Sequence, residues 1–227
     1  MVTSGDGLPD SREACRLAEL HEEVFFTVGW HPMNGRPPTD SEVEELRQLL
    51  SHPKALAVGE IGLDYLQRPG GVVTPPEIQK EMFAMMLALA AELQLPAVIH
   101  LRQAHSELLE VLDRHPAVPA MLHCFSGDEG FAAAAIERGL MCSFAGNVTF
   151  RSARELKSAL AAVPSELLLL ETDAPFLTPE PHRGQVNQPA MLRTTAAWVA
   201  LHRAECLEAV AGAVTQNLRR FLDIPLA

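Results

Sequence analysis

Short apolar runs alternate along the chain with longer stretches whose apolar residues recur at helical spacing. The runs at 24–29, 55–60, 96–100, 119–123, 140–144 and 167–171 are bounded by Pro, Gly or polar residues and read as strands. The stretches at 11–21, 39–51, 76–94, 104–114, 128–138, 152–163, 188–203 and 205–221 read as helices. Strands separated by helix-length segments predict βα units and a parallel sheet, whose buried strands should be unbroken apolar runs, as Leu167 to Leu170 is. Local signals agree. Thr39-Asp40-Ser41-Glu42 offers a capping box. Pro75 and Pro76 open the third helix, where a missing N–H costs nothing. Gly139 stands at a helix C′ position. The apolar run 82–91 predicts a buried helix face. Residues 67–76 and 174–189 read as long loops, the second with four prolines.

A length of 227 residues with no linker or low-complexity tract predicts one domain, 1–227, with a core that needs no staples. The longest apolar stretch is far short of a membrane span, and the first ten residues lack the basic and apolar regions of a secretory signal. Four cysteines, none in a C-x-x-C pair, argue against a disulfide framework or zinc ribbon and for a reducing compartment. The expectation is a cytoplasmic protein. A net charge of −11 disfavours a membrane surface and disfavours nucleic-acid binding by phosphate neutralisation alone. Bound cations could still supply positive charge locally.

The chemistry sits at the strand ends. The run 55–59 is followed by Glu60, 96–99 by His100, 119–122 by His123, and 167–170 by Glu171-Thr172-Asp173. In a parallel sheet or barrel these carboxyl ends share one face, where active sites lie. A lone histidine there is commonly a hydrogen-bonded core residue, and a lone glutamate a helix cap. Four such endings in a chain with nine histidines point instead to a shared site for a divalent cation. Such a cation lowers the pKa of water and polarises a phosphoryl or carbonyl oxygen. Asp173 is the candidate catalytic base. His31, after the 24–29 strand, is a candidate for substrate or water. Arg102 and Arg183 suit phosphate oxygens, although each could equally serve a surface ion pair. Asp64 is expected to orient its loop. There is no nucleophile elbow, Walker motif or dinucleotide fingerprint.

These motifs, taken in order, resemble the TatD-type metal-dependent deoxyribonucleases of the amidohydrolase-like barrels. The matching stretches are Val28-Gly29-Trp30-His31-Pro32, Gly59-Glu60-Ile61-Gly62-Leu63-Asp64-Tyr65 and Ile99-His100-Leu101-Arg102-Gln103-Ala104. They continue through His123-Cys124-Phe125-Ser126-Gly127, Glu171-Thr172-Asp173-Ala174-Pro175, His182-Arg183-Gly184 and Thr215-Gln216-Asn217. The resemblance implies a TIM-type (β/α)8 barrel and a hydrolase that cuts DNA, in some members as a 3′–5′ exonuclease. It implies one or two Mg²⁺, Mn²⁺ or Zn²⁺ ions held by Glu60, His100, His123 and Asp173, with His31 at the site. The family also opens with a strand ending in His-x-His, and this sequence contains no such pair. The expectation is a barrel lacking its first strand–helix unit, with the natural start upstream. Gln185 and Gln188 stand where the family has a basic and an acidic residue. The alternatives are a metal-dependent amide or ester hydrolase, and a catalytically weakened member that keeps the fold without enzymatic activity.

Overall fold

The computed structural model describes residues 1–66 and 74–224. The expected loop at 67–76 lies largely outside the described residues. The chain divides into two compact units, Met1–Met121 and Leu122–Ala227.

In the first unit, β1 (Val2–Thr3), β2 (Phe25–Val28), β3 (Ala55–Asp64) and β4 (Ala97–Arg102) are parallel neighbours in chain order. They alternate with α1 (Leu8–Leu20), α2 (Asp40–Leu50), α3 (Pro76–Leu93) and α4 (His105–Leu112). α2 begins at the expected capping box: Thr39 Oγ1 accepts from the Glu42 N–H, and Glu42 reaches back to the Thr39 N–H. α3 opens at Pro76 and buries Met82, Phe83, Met86, Leu87, Leu89 and Ala90, the face expected from its apolar run. Against β3 these side chains join Val58, Ile61 and Leu63 in the core, where Ile99 of β4 is also buried. β5 (Ala120–Leu122) falls at the boundary between the units.

In the second unit, α5 (Glu129–Glu137), β6 (Met141–Phe144), α6 (Arg154–Ala162), β7 (Leu168–Leu170), α7 (Leu192–His202) and α8 (Leu207–Phe221) follow one another. β6 and β7 are parallel, with Cys142 opposite Leu168. α5 ends as Gly139 takes a left-handed φ of 67°. Asn217 of α8 is buried, and its Nδ2 donates to Ser165 O at 2.7 Å and Leu168 O at 2.8 Å. The closing-helix motif thus tethers α8 to the start of β7. Both carbonyls thereby gain a side-chain partner.

Two strands run further than their sequence suggested. β3 continues through Ile61, Gly62 and Leu63 to Asp64, and β4 to Arg102. Glu60 and His100 therefore lie inside strands rather than at their ends. The ladder permits this because the β3–β4 register shifts between Val58 and Ile61, which leaves Glu60 at an irregularity. Among the described residues no helix is long and apolar enough to cross a membrane.

Candidate functional site

In the first unit the site is built on β2, β3 and β4. Gly29, just past β2, lies against the Gly59–Glu60 backbone; a Cβ there would fall 2.6 Å from the Glu60 nitrogen. Gly62 has φ +143°, and a Cβ on it would collide with the His100 carbonyl oxygen. Only glycine combines that backbone with that approach. These contacts set Glu60 and His100 side by side. Glu60 Oε2 is 3.5 Å from His100 Nδ1 and 4.0 Å from His31 Nε2. The His31 and His100 rings meet edge to face with centroids 4.3 Å apart. All three side chains are largely shielded from solvent.

The hydrogen bonds assign roles to the nitrogens. His100 Nε2 lies 3.2 Å from Asp64 Oδ2, so it is the nitrogen that carries a proton. Its Nδ1 then presents a lone pair toward the Glu60 carboxylate, and two electron-rich atoms face each other across 3.5 Å. A cation stabilises that arrangement, and mixed imidazole and carboxylate donors suit Zn²⁺, Mn²⁺ or Fe²⁺. His31 differs. Its Nδ1 accepts from the Met33 N–H at 3.1 Å, so a neutral ring carries its proton on Nε2 and offers Glu60 a donor. With Glu60 and His100, His31 offers ligand atoms that all lie within 4.8 Å of one another, a group able to hold a cation; in the tautomer just given its Nε2 would instead meet substrate or water.

Asp64 does what the sequence suggested and more. Its Oδ1 accepts from the Leu66 N–H at 2.9 Å, orienting the chain there, while Oδ2 holds His100. Burial pushes its pKa up. The His100 and Leu66 hydrogen bonds, with the electrostatic influence of His100 and Arg102, pull it down by more, so the carboxyl sits below its ordinary value. Carboxylates that hold a ligating histidine fix its tautomer and raise its basicity.

In the second unit His123 follows β5 and Asp173 follows β7, each just past a strand as expected. His123 Nδ1 is 2.8 Å from Glu171 Oε1, and its Nε2 is 3.7 Å from Asp173 Oδ1. Glu171 Oε1 also accepts from the Cys124 N–H at 3.1 Å. Glu171 thus holds the histidine and its neighbour together. Its second oxygen, Oε2, is buried with no hydrogen-bond partner among the described residues. A buried carboxylate oxygen without a donor is costly, and a cation would satisfy it. The backbone here is strained: Cys124 and Asp173 have φ of 44° and 55°. Left-handed residues of this kind cluster at ligand clamps, at about 1–3 kcal/mol each.

Of the four expected ligands, the structure brings Glu60 to His100 in the first unit and His123 to Asp173 in the second. The arginines stand apart from these contacts. Arg102 is exposed, in register with Asp64. Arg183 is exposed and stacks its guanidinium 4.1 Å from the centroid of the Phe150 ring. Glu171 was missed as a functional residue, although it heads the same Glu-Thr-Asp motif. Cys15, Glu19 and His52 also approach one another. There His52 Nδ1 accepts from the Lys54 N–H, and burial with nearby Glu19 pushes the Cys15 thiol up, both poor conditions for a ligand.

Comparison with known proteins places these features. The family model described as TatD related DNase matches residues 1–223. The chain is 40% identical to the "uncharacterized metal-dependent hydrolase TatD" of Mycobacterium tuberculosis, over 97% of this chain and 84% of that protein. It is 34% identical to the "3'-5' ssDNA/RNA exonuclease TatD" of Klebsiella pneumoniae, over 99% of this chain and 86% of that one. Among solved structures, the Escherichia coli TatD homologue YJJV superposes with a TM-score of 0.89 at 28% identity, covering 99% of this chain and 86% of its own. The fold is thus of the TIM-type α/β barrel class that the family resemblance implied, built from the βα units expected from the strand and helix alternation. The chain belongs to the TatD related DNase family of metal-dependent hydrolases.

Proposed function

We propose that the protein is a metal-dependent phosphodiesterase that cuts DNA, acting from 3′ to 5′ on single strands. The observation that carries this reading is the paired arrangement of His100 and His123. Each has one ring nitrogen held by a carboxylate and the other 3.5 or 3.7 Å from a second carboxylate. The name of the Klebsiella relative supports the substrate.

In this reading Glu60 and His100 would hold a divalent cation, with His31 Nε2 4.0 Å from Glu60 Oε2, and His123 and Asp173 would likewise be cation ligands. A bound cation supplies Lewis acidity at a phosphoryl oxygen and brings the pKa of water toward neutrality. Asp173 Oδ1 accepts the proton of the attacking water. Asp64 and Glu171 keep the two imidazoles in one tautomer and orientation. Arg102 and Arg183 offer forked donors to phosphate oxygens, which carry no sequence information.

The test uses single-stranded DNA labelled at either end, with Mg²⁺ or Mn²⁺ and with EDTA. Stepwise loss from the 3′ end that EDTA abolishes is the expected result. No metal-dependent cleavage, or turnover of amide or ester substrates in its place, would overturn the reading.

A further inference from the structure

We infer that Phe176 is a stacking platform for a nucleobase of the single-stranded substrate, which fixes one nucleotide beside Asp173. The inference rests on the nuclease reading above and adds to it the means by which the strand is held.

The loop after Asp173 is pinned. The Phe176 N–H donates to Asp173 O at 2.8 Å, closing a turn over residues 173–176. Such a turn keeps its first and last Cα atoms within about 7 Å. The Phe176 carbonyl accepts from Asn187 Nδ2 at 2.6 Å, and the same amide nitrogen donates to Thr172 O at 2.7 Å. Asn187 is itself 3% exposed, and its N–H donates to Pro175 O at 3.1 Å. The backbone of Phe176 is therefore fixed on both sides by a buried side chain and a closed turn. The residue is nonetheless 67% exposed. Val186, next to Asn187 on the returning arm, is 74% exposed.

A scattered exposed apolar residue needs no explanation, but an aromatic held open on a pinned loop has already lost its backbone entropy. Binding to it orders nothing further in the loop. Two side chains are far fewer than the 20–30 residues a side of a standard protein–protein interface. A single flat ligand is the better match. Every base presents a π-face, so stacking on phenylalanine is tolerant of sequence, and bases of a single strand are free to be splayed onto it. The closed turn keeps the Phe176 and Asp173 Cα atoms within about 7 Å, so a base on the ring would lie near the carboxylate.

The test compares wild type with Phe176→Ala and Phe176→Trp. The substrates are an oligonucleotide and its counterpart abasic at the 3′-terminal nucleotide. Binding is read separately by fluorescence anisotropy in EDTA. The expected result is a KM raised roughly 5- to 100-fold by Phe176→Ala on the normal oligonucleotide, with metal content kept. Phe176→Trp restores it, and the two proteins converge on the abasic substrate. An unchanged KM, or an equal loss on the abasic strand, overturns the inference. Should wild type bind single-stranded DNA without cutting it, the nuclease reading fails. The anisotropy of Phe176→Ala then decides on the platform alone. Wild type that neither binds nor cuts overturns both.

Discussion

His100 stands inside a strand, and His123 stands just beyond one. In the first unit the ladder itself delivers the chemistry: β3 shifts register at Glu60, and glycines let neighbouring backbones close to contact distance. In the second unit the side chains sit on turn residues, and left-handed φ values at Cys124 and Asp173 aim them. The supporting carboxylates also take opposite nitrogens. Asp64 holds Nε2 of His100, and Glu171 holds Nδ1 of His123. The outcome is nevertheless alike, with a histidine lone pair facing a carboxylate at 3.5 or 3.7 Å. The comparison teaches that the tautomer, rather than the strand position, is what each local fold specifies.

The sharpest way to break the comparison is through the backbone. Gly62→Ala should cost at least about 2 kcal/mol in a denaturant melt, because the residue has a positive φ and its new Cβ meets the His100 carbonyl. A stability equal to wild type would show that the strand approach is not what positions His100. Next come the supporting carboxylates. Asp64→Asn and Glu171→Gln should each weaken Mn²⁺ binding about 10- to 100-fold. The loss should be greater at Glu171, whose bond to histidine is 2.8 Å against 3.2 Å. Unaltered titration curves would remove the tautomer argument. His31→Ala should weaken the same binding by less than about tenfold, since His31 Nε2 stands 4.0 Å from Glu60 Oε2 and its Nδ1 is engaged by the Met33 N–H. A loss matching that of a ligand deletion would make His31 a ligand. The smallest effect belongs to Cys124→Gly, which relieves a left-handed residue. Its stability should stay within about 1 kcal/mol of wild type, the opposite of Gly62→Ala.

Among the described residues, six of the seven strands and all eight α-helices were legible in the sequence, because apolar runs and caps are local signals. β1, with two residues, is too short to give a pattern. The extensions of β3 and β4 were missed because the reading stopped at the first charged residue, whereas Ile61, Leu63 and Leu101 continue the buried face. At the site, Glu60, His100, His123 and Asp173 stood out by their place after apolar runs. The contribution of Asp64 to His100 could not be read, since 36 residues separate them. That of Glu171 to Cys124 spans 47. Such pairings exist only once strands are in register. The proton on His31 did have a local cause, the N–H of Met33 two residues on, but its meaning depended on finding Glu60 across from it.

The central claim, that supported histidines hold divalent cations, is tested most directly by titrating metal-stripped protein with Mn²⁺ or Zn²⁺ in a calorimeter. Wild type should bind with a defined stoichiometry. His100→Ala and His123→Ala should each lose binding while keeping the circular dichroism of the folded chain. A wild type that takes up no metal, or two variants that bind as wild type does, would contradict the account.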